Sequence, residues 1–443
     1  MTIFIKNLSD FMEMLHLNDV SKFNELTAQI KDKIEKKEGL IRIITHHDTD
    51  GLTAGFIILK TLYRLNKTFQ MTILEQLTKE NLEKLSLENK DNLYIFCDMG
   101  SGQSDIIENL GFDAIILDHH PPTNFEAKFG KILQLNAHII GSNGSKEISA
   151  SGICYLVART FGYYDLAPIA IIGAIGDMQH KPFLGLNKYI LNEARKNRYL
   201  SVIKDSVYNC YNLPISKAIY YSTQPYIREL NTLDAINLLL DKIEINSKKN
   251  GTTVEESEKM FSELQNYVKI EELCIDKYNI NHNLKDGFYI SEVLNSCGRM
   301  ELTSTAIGIL LGDEECIKQG ENAYITYKEE LVLELQKIKI LTLENIEYFI
   351  GDKGKTGIMA SLMVKNKPVF GFSENGEYYK VSSRGNSELV RCGLNLSEVM
   401  KISKKYGGDG GGHDIASGGI IQKAYLTEFL NEVDKLVTDQ LKK

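Results

Sequence analysis

The feature that most constrains the fold of this chain is an alternation of short apolar segments with helical segments, which begins at Leu40. Five apolar segments are typical of buried strands, and they read LIRIITH, MTILEQL, NLYIFCD, FDAIILD and GKILQLN. Segments with helical spacing, such as GLTAGFIILKTLYRL, separate them. This alternation predicts right-handed βαβ units, and hence a parallel sheet with helices on both faces. In such sheets, ligands bind beyond the carboxyl ends of the strands.

The length of 443 residues exceeds one ordinary core, so we expect several domains. Beyond Tyr348, strand-like segments return as KTGIMASLMV, KPVFGFSE and YYKVSSRG, divided by glycine turns. We predict a parallel-sheet α/β domain with flanking helices, joined by a long charged helix to a smaller α/β domain. The predicted segments are a helical segment at 1–39, a catalytic domain at 40–312 with a candidate helical insertion at 210–290, a connecting helix at 313–346, and a substrate-binding domain at 347–443.

Composition excludes three classes of protein. The net charge of −8 disfavours a protein that coats duplex DNA through bulk positive charge. The seven cysteines form no CxxC pair, which argues against a disulfide framework and a zinc knuckle. No apolar run reaches the roughly 18–20 residues of a membrane span, and the first residues lack a signal-peptide layout. We therefore expect a cytoplasmic protein that does not associate with membranes.

The first polar cluster, THHDTDG, follows the first strand. His46, Asp48 and Asp50 alternate, so an extended strand would place all three side chains on one face. Gly51 permits a sharp turn into the next helix. An Asp-x-Asp-Gly after a strand could equally cap a helix.

Three more clusters end apolar segments. Asp98 ends NLYIFCD, although an aspartate at a strand end is more often a cap than a ligand. In the DHH sequence at 118–120, His119 can bind a metal, Asp118 can orient an imidazole, and His120 can contact a phosphate or donate a proton. The alternative for the histidines is a surface position before two prolines. Asp177 ends IIGAIGD, which a simple C-terminal turn also explains.

Together these residues point to a metal centre. Carboxylates with imidazoles suit Mn²⁺ or Mg²⁺, and the lack of cysteine ligands argues against structural zinc. Six candidate ligands exceed what one ion needs from a protein, whereas two ions that share a carboxylate would use them all. Such a pair suits hydrolysis of phosphoesters. The candidate ligands are His46, Asp48, Asp50, Asp98, His119 and Asp177.

Four motifs in this order resemble those of the DHH phosphoesterase superfamily, namely His46-x-Asp48-x-Asp50-Gly51, Asp98, Asp118-His119-His120 and Gly176-Asp177. The segment GGGH at 410–413 resembles the glycine-rich motif of the DHH-associated C-terminal domain. The segment LNSCGRM at 294–300 is similar to the LNAxGR segment of RecJ-type nucleases. The resemblance covers roughly residues 40–443.

The resemblance implies a role for each matched residue. The six ligands would hold two Mn²⁺ ions, or Mg²⁺ in their place, with Asp98 as the bridge. Asp118 and His120 would be the catalytic pair, the first supporting the ligand histidines and the second lying near the scissile phosphate. The substrate-binding set would be Asn295, Arg299, Arg384, Gly411, Gly412 and His413, with the glycine-rich loop closing over the substrate.

This chain departs from bacterial RecJ proteins in two ways. They begin the first motif with aspartate, whereas His46 matches the usage of archaeal RecJ-like proteins and of the pyrophosphatase branch. The chain also shows no sign of the oligonucleotide-binding domain that bacterial RecJ proteins add. We therefore expect it to bind long single strands more weakly, or with the help of a partner protein. Asn136 and His138 lie where relatives carry an Asn-Pro-His-like turn, which makes them candidates to support the ligands.

The resemblance implies an archaeal-type, Mn²⁺-dependent exonuclease that releases mononucleotides from single-stranded DNA or RNA by attack of a metal-activated water. One alternative is a phosphodiesterase for small substrates, such as oligoribonucleotides, cyclic dinucleotides or phosphoadenosine phosphate. A second is a scaffold in a replication or repair complex. Helicase components of replication or repair are candidate partners, and residues 200–290 are a candidate docking region.

Overall fold

The computed structural model describes residues 20–205, 213–273, 275–280, 285–352 and 354–441. Residues 1–19 of the predicted N-terminal helical segment therefore lie outside the described residues. The chain divides into two compact units, which are Met1–Asp205 with Asp276–Ile325, and Ser206–Ile275 with Thr326–Lys443.

The first unit is built on a six-stranded sheet in the order β2-β1-β3-β4-β6-β5. All neighbouring strands are parallel except the short β5, which runs antiparallel to β6. The apolar segments form the central strands because both faces of the sheet are covered, and β3, β4 and β6 are buried almost throughout. The strands are β1 (Leu40–His46), β2 (Thr68–Leu74), β3 (Leu93–Cys97), β4 (Asp113–Asp118), β5 (Lys128–Phe129) and β6 (Ile132–Asn136).

Helices alternate with these strands, as the sequence pattern predicts. Three of these helices begin at a capping side chain, which accepts a backbone N–H of the first turn. The capping residues are Asp48, Thr78 and Ser149. The helices of this part of the chain are α1 (Val20–Lys36), α2 (Thr49–Arg64), α3 (Lys79–Ser86), α4 (Ser104–Asn109), α5 (Ala150–Thr160), α6 (Ala167–Gly176) and α7 (Gly185–Lys196).

Between Leu200 and Lys337, the described residues are mostly helical. A two-stranded sheet pairs β7 with β8, and α14 passes from the first unit into the second. The elements are β7 (Leu200–Asp205), α8 (Ile215–Tyr220), α9 (Leu233–Lys242), α10 (Val254–Leu264), α11 (Ile270–Leu273), β8 (Ile275–Ile280), α12 (Gly287–Arg299), α13 (Thr303–Leu311) and α14 (Glu314–Lys337).

The C-terminal part of the second unit contains a separate six-stranded sheet in the order β13-β14-β12-β11-β10-β9. Only β10 and β11 pair in parallel within it. Its elements are β9 (Leu341–Thr342), β10 (Glu347–Ile350), α15 (Thr356–Met363), β11 (Val369–Asn375), β12 (Tyr378–Arg384), α16 (Ser387–Arg391), α17 (Leu396–Met400), β13 (Asp409–Gly412), β14 (Ala416–Gln422) and α18 (Leu426–Leu441). The predicted class, a parallel-sheet α/β unit followed by a smaller α/β unit, is confirmed.

Two local predictions were wrong. The segment KTGIMASLMV is the helix α15 and not a strand, because Thr356, Met359, Ala360 and Met363 are buried at helical spacing. The long charged helix, predicted at 313–346, ends at Lys337, because residues beyond it pair as β9 with β10. Over the described residues, none of the helices has both the length and the apolar character needed to cross a membrane.

Candidate active site

The first motif is a tight turn between β1 and α2. The strand ends at His46, and Asp48 caps α2 by accepting the N–H of Gly51 at 2.9 Å. The prediction that an extended strand aligns His46, Asp48 and Asp50 was therefore wrong, since Asp50 already lies in the helix. The turn brings the side chains together instead, with Nδ1 of His46 at 3.0 Å from Oδ2 of Asp48.

Asp50 is fully buried and is held by the start of another helix. Its two carboxylate oxygens accept the backbone N–H groups of Ala150 at 2.6 Å and Ser151 at 3.0 Å, at the N-terminus of α5. A carboxylate is favoured there because the first N–H groups of a helix have no partner within it. These two hydrogen bonds fix the position of the Asp50 carboxylate.

Asp98 follows β3 and lies at the centre of the cluster. It has a left-handed backbone conformation, with φ of 60°, and is only 3% exposed. Its Oδ2 lies 3.3 Å from Nδ1 of His46, and its Oδ1 lies 3.3 Å from Nε2 of His119. One carboxylate therefore faces two histidines that come from different strands.

His119 follows β4 and is oriented by a backbone carbonyl. Its Nδ1 donates to the carbonyl oxygen of Gly144 at 2.6 Å, which directs Nε2 toward the carboxylates. Nε2 lies 3.3 Å from Oδ2 of Asp177 and 3.9 Å from Oδ2 of Asp50. Asp177 caps the C-terminus of α6, and the amide of Gln179 contacts both Asp177 and the Gly144 carbonyl.

Asp118 supports the loops around the cluster rather than offering a free oxygen. Its Oδ2 accepts the N–H of Ser101 at 3.0 Å. Its Oδ1 accepts the N–H groups of His119 and His120, and also Nδ1 of His120 at 2.8 Å. The side chain of His120 is half exposed. Because its Nδ1 is engaged by Asp118, its Nε2 is the nitrogen that can meet a ligand.

We predict that Asp118→Asn weakens Mn²⁺ binding by about 10–100-fold. The amide would replace one acceptor oxygen with a donor, so at least one of the buried N–H groups of Ser101, His119 or His120 would lose its partner. Calorimetric titration with Mn²⁺ measures the change. Asp113→Asn, at the other end of β4, is the matched control and should bind Mn²⁺ like the wild type. Equal affinities in both variants would contradict the positioning role.

The possible ligand atoms fall into overlapping groups of three. In each group, the atoms of the three side chains lie within 4.8 Å of one another. Asp98 belongs to two of the groups and so does His119. The groups are His46 with Asp48 and Asp98, Asp50 with His119 and Asp177, and Asp98 with His119 and His120.

The electrostatics of the cluster fit bound cations. Burial and the charge of Asp98 raise the pKa of Asp50 to about 6, and burial and the charge of Asp50 raise the pKa of Asp177 well above its usual value. Burial lowers the pKa of His46, but the carboxylates of Asp48 and Asp98 outweigh burial and raise that pKa to about 11. These shifts share one origin, which is the crowding of carboxylates in a buried space. Divalent cations would displace the protons.

The donor set itself also fits a divalent cation. Among the described residues, Nδ1 of His46 and Oδ1 of Asp98 are buried and find no hydrogen-bond partner of good geometry. Buried polar atoms of this kind are costly unless they bind something. Aspartate oxygens and imidazole nitrogens are ligands that Mn²⁺ accepts.

Comparison with known proteins agrees with this chemistry. The sequence matches the N-terminal domain of the DHH family over residues 40–175 and the DHHA1 domain over residues 338–439. It is 48% identical to the uncharacterized protein MJ0831 of Methanocaldococcus jannaschii over 431 residues, which cover 96% of this chain and 100% of that protein. The chain belongs to the DHH family. The resemblance seen in the four motifs is thus confirmed, and the DHH superfamily consists of metal-dependent phosphoesterases.

Two solved structures share the DHH fold with this chain. RecJ of Thermus thermophilus in complex with Mn²⁺ is 17% identical with a TM-score of 0.61, and the match covers 96% of this chain and 56% of that one. CDC45 of Entamoeba histolytica is 12% identical with a TM-score of 0.66, and the match covers 94% and 99%. The chain thus spans little more than half the length of that RecJ.

Two of the predicted substrate-binding residues lie on α12, in the same unit as the metal cluster. Asn295 is half-buried, and Arg299 is exposed at the end of the helix. This helix contacts the first motif through a hydrogen bond, in which the hydroxyl of Thr49 donates to the carbonyl of Ser291 at 2.9 Å. Arg299 lies close enough to the first motif for its charge, after burial and His46, to lower the pKa of His47.

The other four predicted substrate-binding residues belong to the second unit, within the DHHA1 match. Arg384 ends β12 and donates to the carbonyls of Ser383 at 2.9 Å and Ser417 at 3.4 Å. The prediction of a glycine-rich loop was wrong in part, because Gly411 and Gly412 lie in the edge strand β13. Only His413 is in the turn that follows, where its N–H donates to the carbonyl of Ala416.

Sequence reasoning missed several groups that hold the DHH cluster in place. They are backbone atoms or amides, namely the N–H groups of Ser101, Ala150 and Ser151, the carbonyl of Gly144 and the amide of Gln179. Asn136 fits its predicted supporting place, because its amide is buried and donates to Ser101 Oγ and His120 O, both at 2.8 Å. The backbone N–H of His138 donates to Oδ1 of Asn136 at 2.8 Å, while burial and the charge of His119 lower the pKa of the His138 imidazole. The sequence gives a signal for only one of these sets of groups. Ser149, a helix-capping residue type, marks the start of α5, whose first N–H groups hold Asp50.

Proposed function

We propose that this chain is a two-metal-ion phosphodiesterase that acts as a Mn²⁺-dependent exonuclease and releases mononucleotides from single-stranded DNA or RNA. The observation that carries the proposal is the buried carboxylate of Asp98, whose two oxygens face His46 and His119 at 3.3 Å each. His46 belongs to one group of candidate ligands, and His119 belongs to the other two. Two cation sites that share one carboxylate are typical of enzymes that cleave phosphoesters.

The residues divide naturally between two ions. His46, Asp48 and Asp98 would hold one, while Asp50, His119 and Asp177 would hold the other together with the second oxygen of Asp98. When bound, such a pair activates a water for in-line attack on phosphorus and neutralises charge on the departing oxygen. We favour Mn²⁺, and Mg²⁺ is the alternative because it accepts the same carboxylates.

His120 would act directly on the substrate. Its Nδ1 is held by Asp118, so its half-exposed ring can present Nε2 to a phosphate oxygen or to the leaving oxygen. A carboxylate partner also favours the protonated ring: although burial lowers the pKa of His120, Asp118 outweighs burial and raises it. When protonated, His120 can donate a proton to the leaving oxygen.

A single strand is the substrate that the remaining groups support best. Arg299 is exposed beside the first motif, and a guanidinium there can bind a backbone phosphate through paired hydrogen bonds. Asn295 on the same helix face would assist it, since the two residues are four apart. In the second unit, Arg384, Gly411, Gly412 and His413 are the phosphate-binding groups that the family resemblance implies.

Two other functions remain as alternatives. A phosphodiesterase for small substrates would use the same metal centre, and a cavity of about 380 Å³ beside it is of a size to hold one nucleotide. A role as a replication scaffold draws on the fold shared with CDC45. Helicase components would then be the partners, and residues 200–290 would be a docking region. The complete set of candidate ligands favours an enzyme over a scaffold.

The proposal predicts Mn²⁺-dependent release of mononucleotides from single strands. Single-stranded DNA and RNA, labelled at the 5′ or the 3′ end, are incubated with the protein and Mn²⁺, and a dinucleotide is tested beside them. Long strands should be shortened stepwise from one end, and duplexes of the same sequence should resist. Cleavage of the dinucleotide alone would favour the small-substrate function. Cleavage of no phosphodiester would overturn the proposal.

A further inference from the structure

The cavity beside the metal cluster has a lining of mixed character. Three residues of the cluster line it, namely His46, Asp98 and His120. The segment after β2 also lines it, with Glu75 and Gln76. Its volume of about 380 Å³ lies at the lower end of the range for small-ligand sites, so one nucleotide would fill it.

Glu75 is placed at this cavity by the register of the sheet. β2 pairs in parallel with β1, with Leu74 opposite His46, so that Glu75 follows at the same sheet edge as the first motif. Glu75 is exposed, and its charge reaches the imidazole of His47, where it acts to raise the pKa. Among the described residues, Glu75 belongs to none of the candidate metal groups. Its exposed carboxylate can therefore meet a ligand.

The lining offers little to a second phosphate. None of the described residues that line the cavity is lysine or arginine, and Glu75 adds a negative charge to the lining. The helix α3 begins at this rim, but the hydroxyl of Thr78 already accepts the N–H of Asn81. Glu80 in the first turn also complements the positive end of that helix.

We propose that Glu75 makes the site select a strand whose terminal sugar carries a free hydroxyl and reject one whose terminal sugar carries a phosphate. This inference rests on the proposed function, because the cleaved phosphodiester must lie at the cluster with the terminal nucleoside in the cavity. A carboxylate accepts hydrogen bonds from sugar hydroxyls, whereas an arginine at such a position accommodates a phosphate. A terminal phosphate would instead meet the Glu75 carboxylate, and the two like charges would repel each other.

The test compares end groups on otherwise identical strands. Short single strands of one sequence are prepared with hydroxyls at both ends, with a 5′-phosphate, and with a 3′-phosphate. With Mn²⁺, the wild type should cleave the strand with two hydroxyls about tenfold faster than the strand phosphorylated at the end that enters the site. Glu75→Arg should reverse this preference. Binding of the same strands, followed by fluorescence anisotropy with a metal chelator present, should show the same order.

Glu83→Arg is the matched control, since it makes the same charge change at an exposed position of α3 and leaves the cavity lining unchanged. It should keep the wild-type preference. If the wild type treats all end groups alike in cleavage and in binding, the inference is overturned. If no strand is cleaved but the binding preference and its reversal persist, the proposed nuclease function fails and the selection of end groups stands.

Discussion

Asp98→Asn is expected to reduce phosphodiester cleavage by at least about 10³-fold. Asp98 faces both candidate metal groups, one through each carboxylate oxygen. An amide offers one neutral oxygen in place of two charged ones, so at least one ion would lose a ligand and the pair would lose its bridge. Initial rates on a labelled single strand across a Mn²⁺ titration measure the effect.

Asparagine suits this experiment because of the backbone of Asp98. The residue has φ of 60°, a conformation that asparagine adopts more readily than alanine does. Loss of activity in Asp98→Asn therefore reports the lost carboxylate rather than a strained turn. Asp105→Asn, on the exposed face of α4, is the control and should retain full activity.

A second measurement on Asp98→Asn does not depend on catalysis. Bound Mn²⁺ stabilises the folded state, by about 2.7 kcal/mol at a concentration one hundred times the dissociation constant. The unfolding temperature of the wild type should therefore rise when Mn²⁺ is added, and this rise should be smaller in Asp98→Asn. Full activity with an unchanged Mn²⁺ shift would rule out Asp98 as the shared ligand.

The sheet of the first unit could be predicted from the sequence because its signals are local. The strands β1, β3 and β4 are apolar runs that both faces of the sheet bury, and a polar residue ends or follows each of them at one edge. The parallel order then brings His46, Asp98 and Asp118 to the same edge, although they are far apart along the chain. For this reason the fold class alone predicted that these side chains lie close together, although it could not give the distances between them.

The local path of the backbone could not be predicted in the same way. The alternation of His46, Asp48 and Asp50 suits a strand, but the cap made by Asp48 begins a helix one residue later. The glycines at 410–412 suit a loop, yet they pair as an edge strand with β14. In both segments the decisive interaction involves backbone groups, which every sequence shares.

The groups that orient the ligands were also out of reach of the sequence. The Gly144 carbonyl that fixes the His119 ring is 25 residues away from it, and the N–H groups that hold Asp50 are 100 and 101 residues away. A backbone carbonyl or N–H has no residue-specific signature. These contacts form only when α5 and the loop that contains Gly144 pack against the sheet, so the folded structure is needed to find them.

Gly298→Ala is expected to lower activity by about 10²-fold, through a shift of about 1 Å in the reacting groups. A Cβ at this position would lie 2.0 Å from the carbonyl oxygen of His47, which is backbone and cannot rotate away. Either α12 or the turn between β1 and α2 must then move. Movement of α12 displaces Arg299, and movement of the turn displaces the candidate ligands His46 and Asp48.

The same substitution should also cost about 1–3 kcal/mol of unfolding free energy, because the added methyl overpacks a close contact. Ile309→Val separates the two effects, since it removes a methyl from the buried core of α13 and costs about 0.5–1.5 kcal/mol without touching the first motif. If displacement is the cause, Gly298→Ala loses activity at temperatures where it is fully folded, and Ile309→Val does not. If both variants are destabilised and equally active, the contact between Gly298 and His47 serves only the fold. A higher KM with unchanged kcat would locate the damage at Arg299, whereas weaker Mn²⁺ binding would locate it at His46 and Asp48.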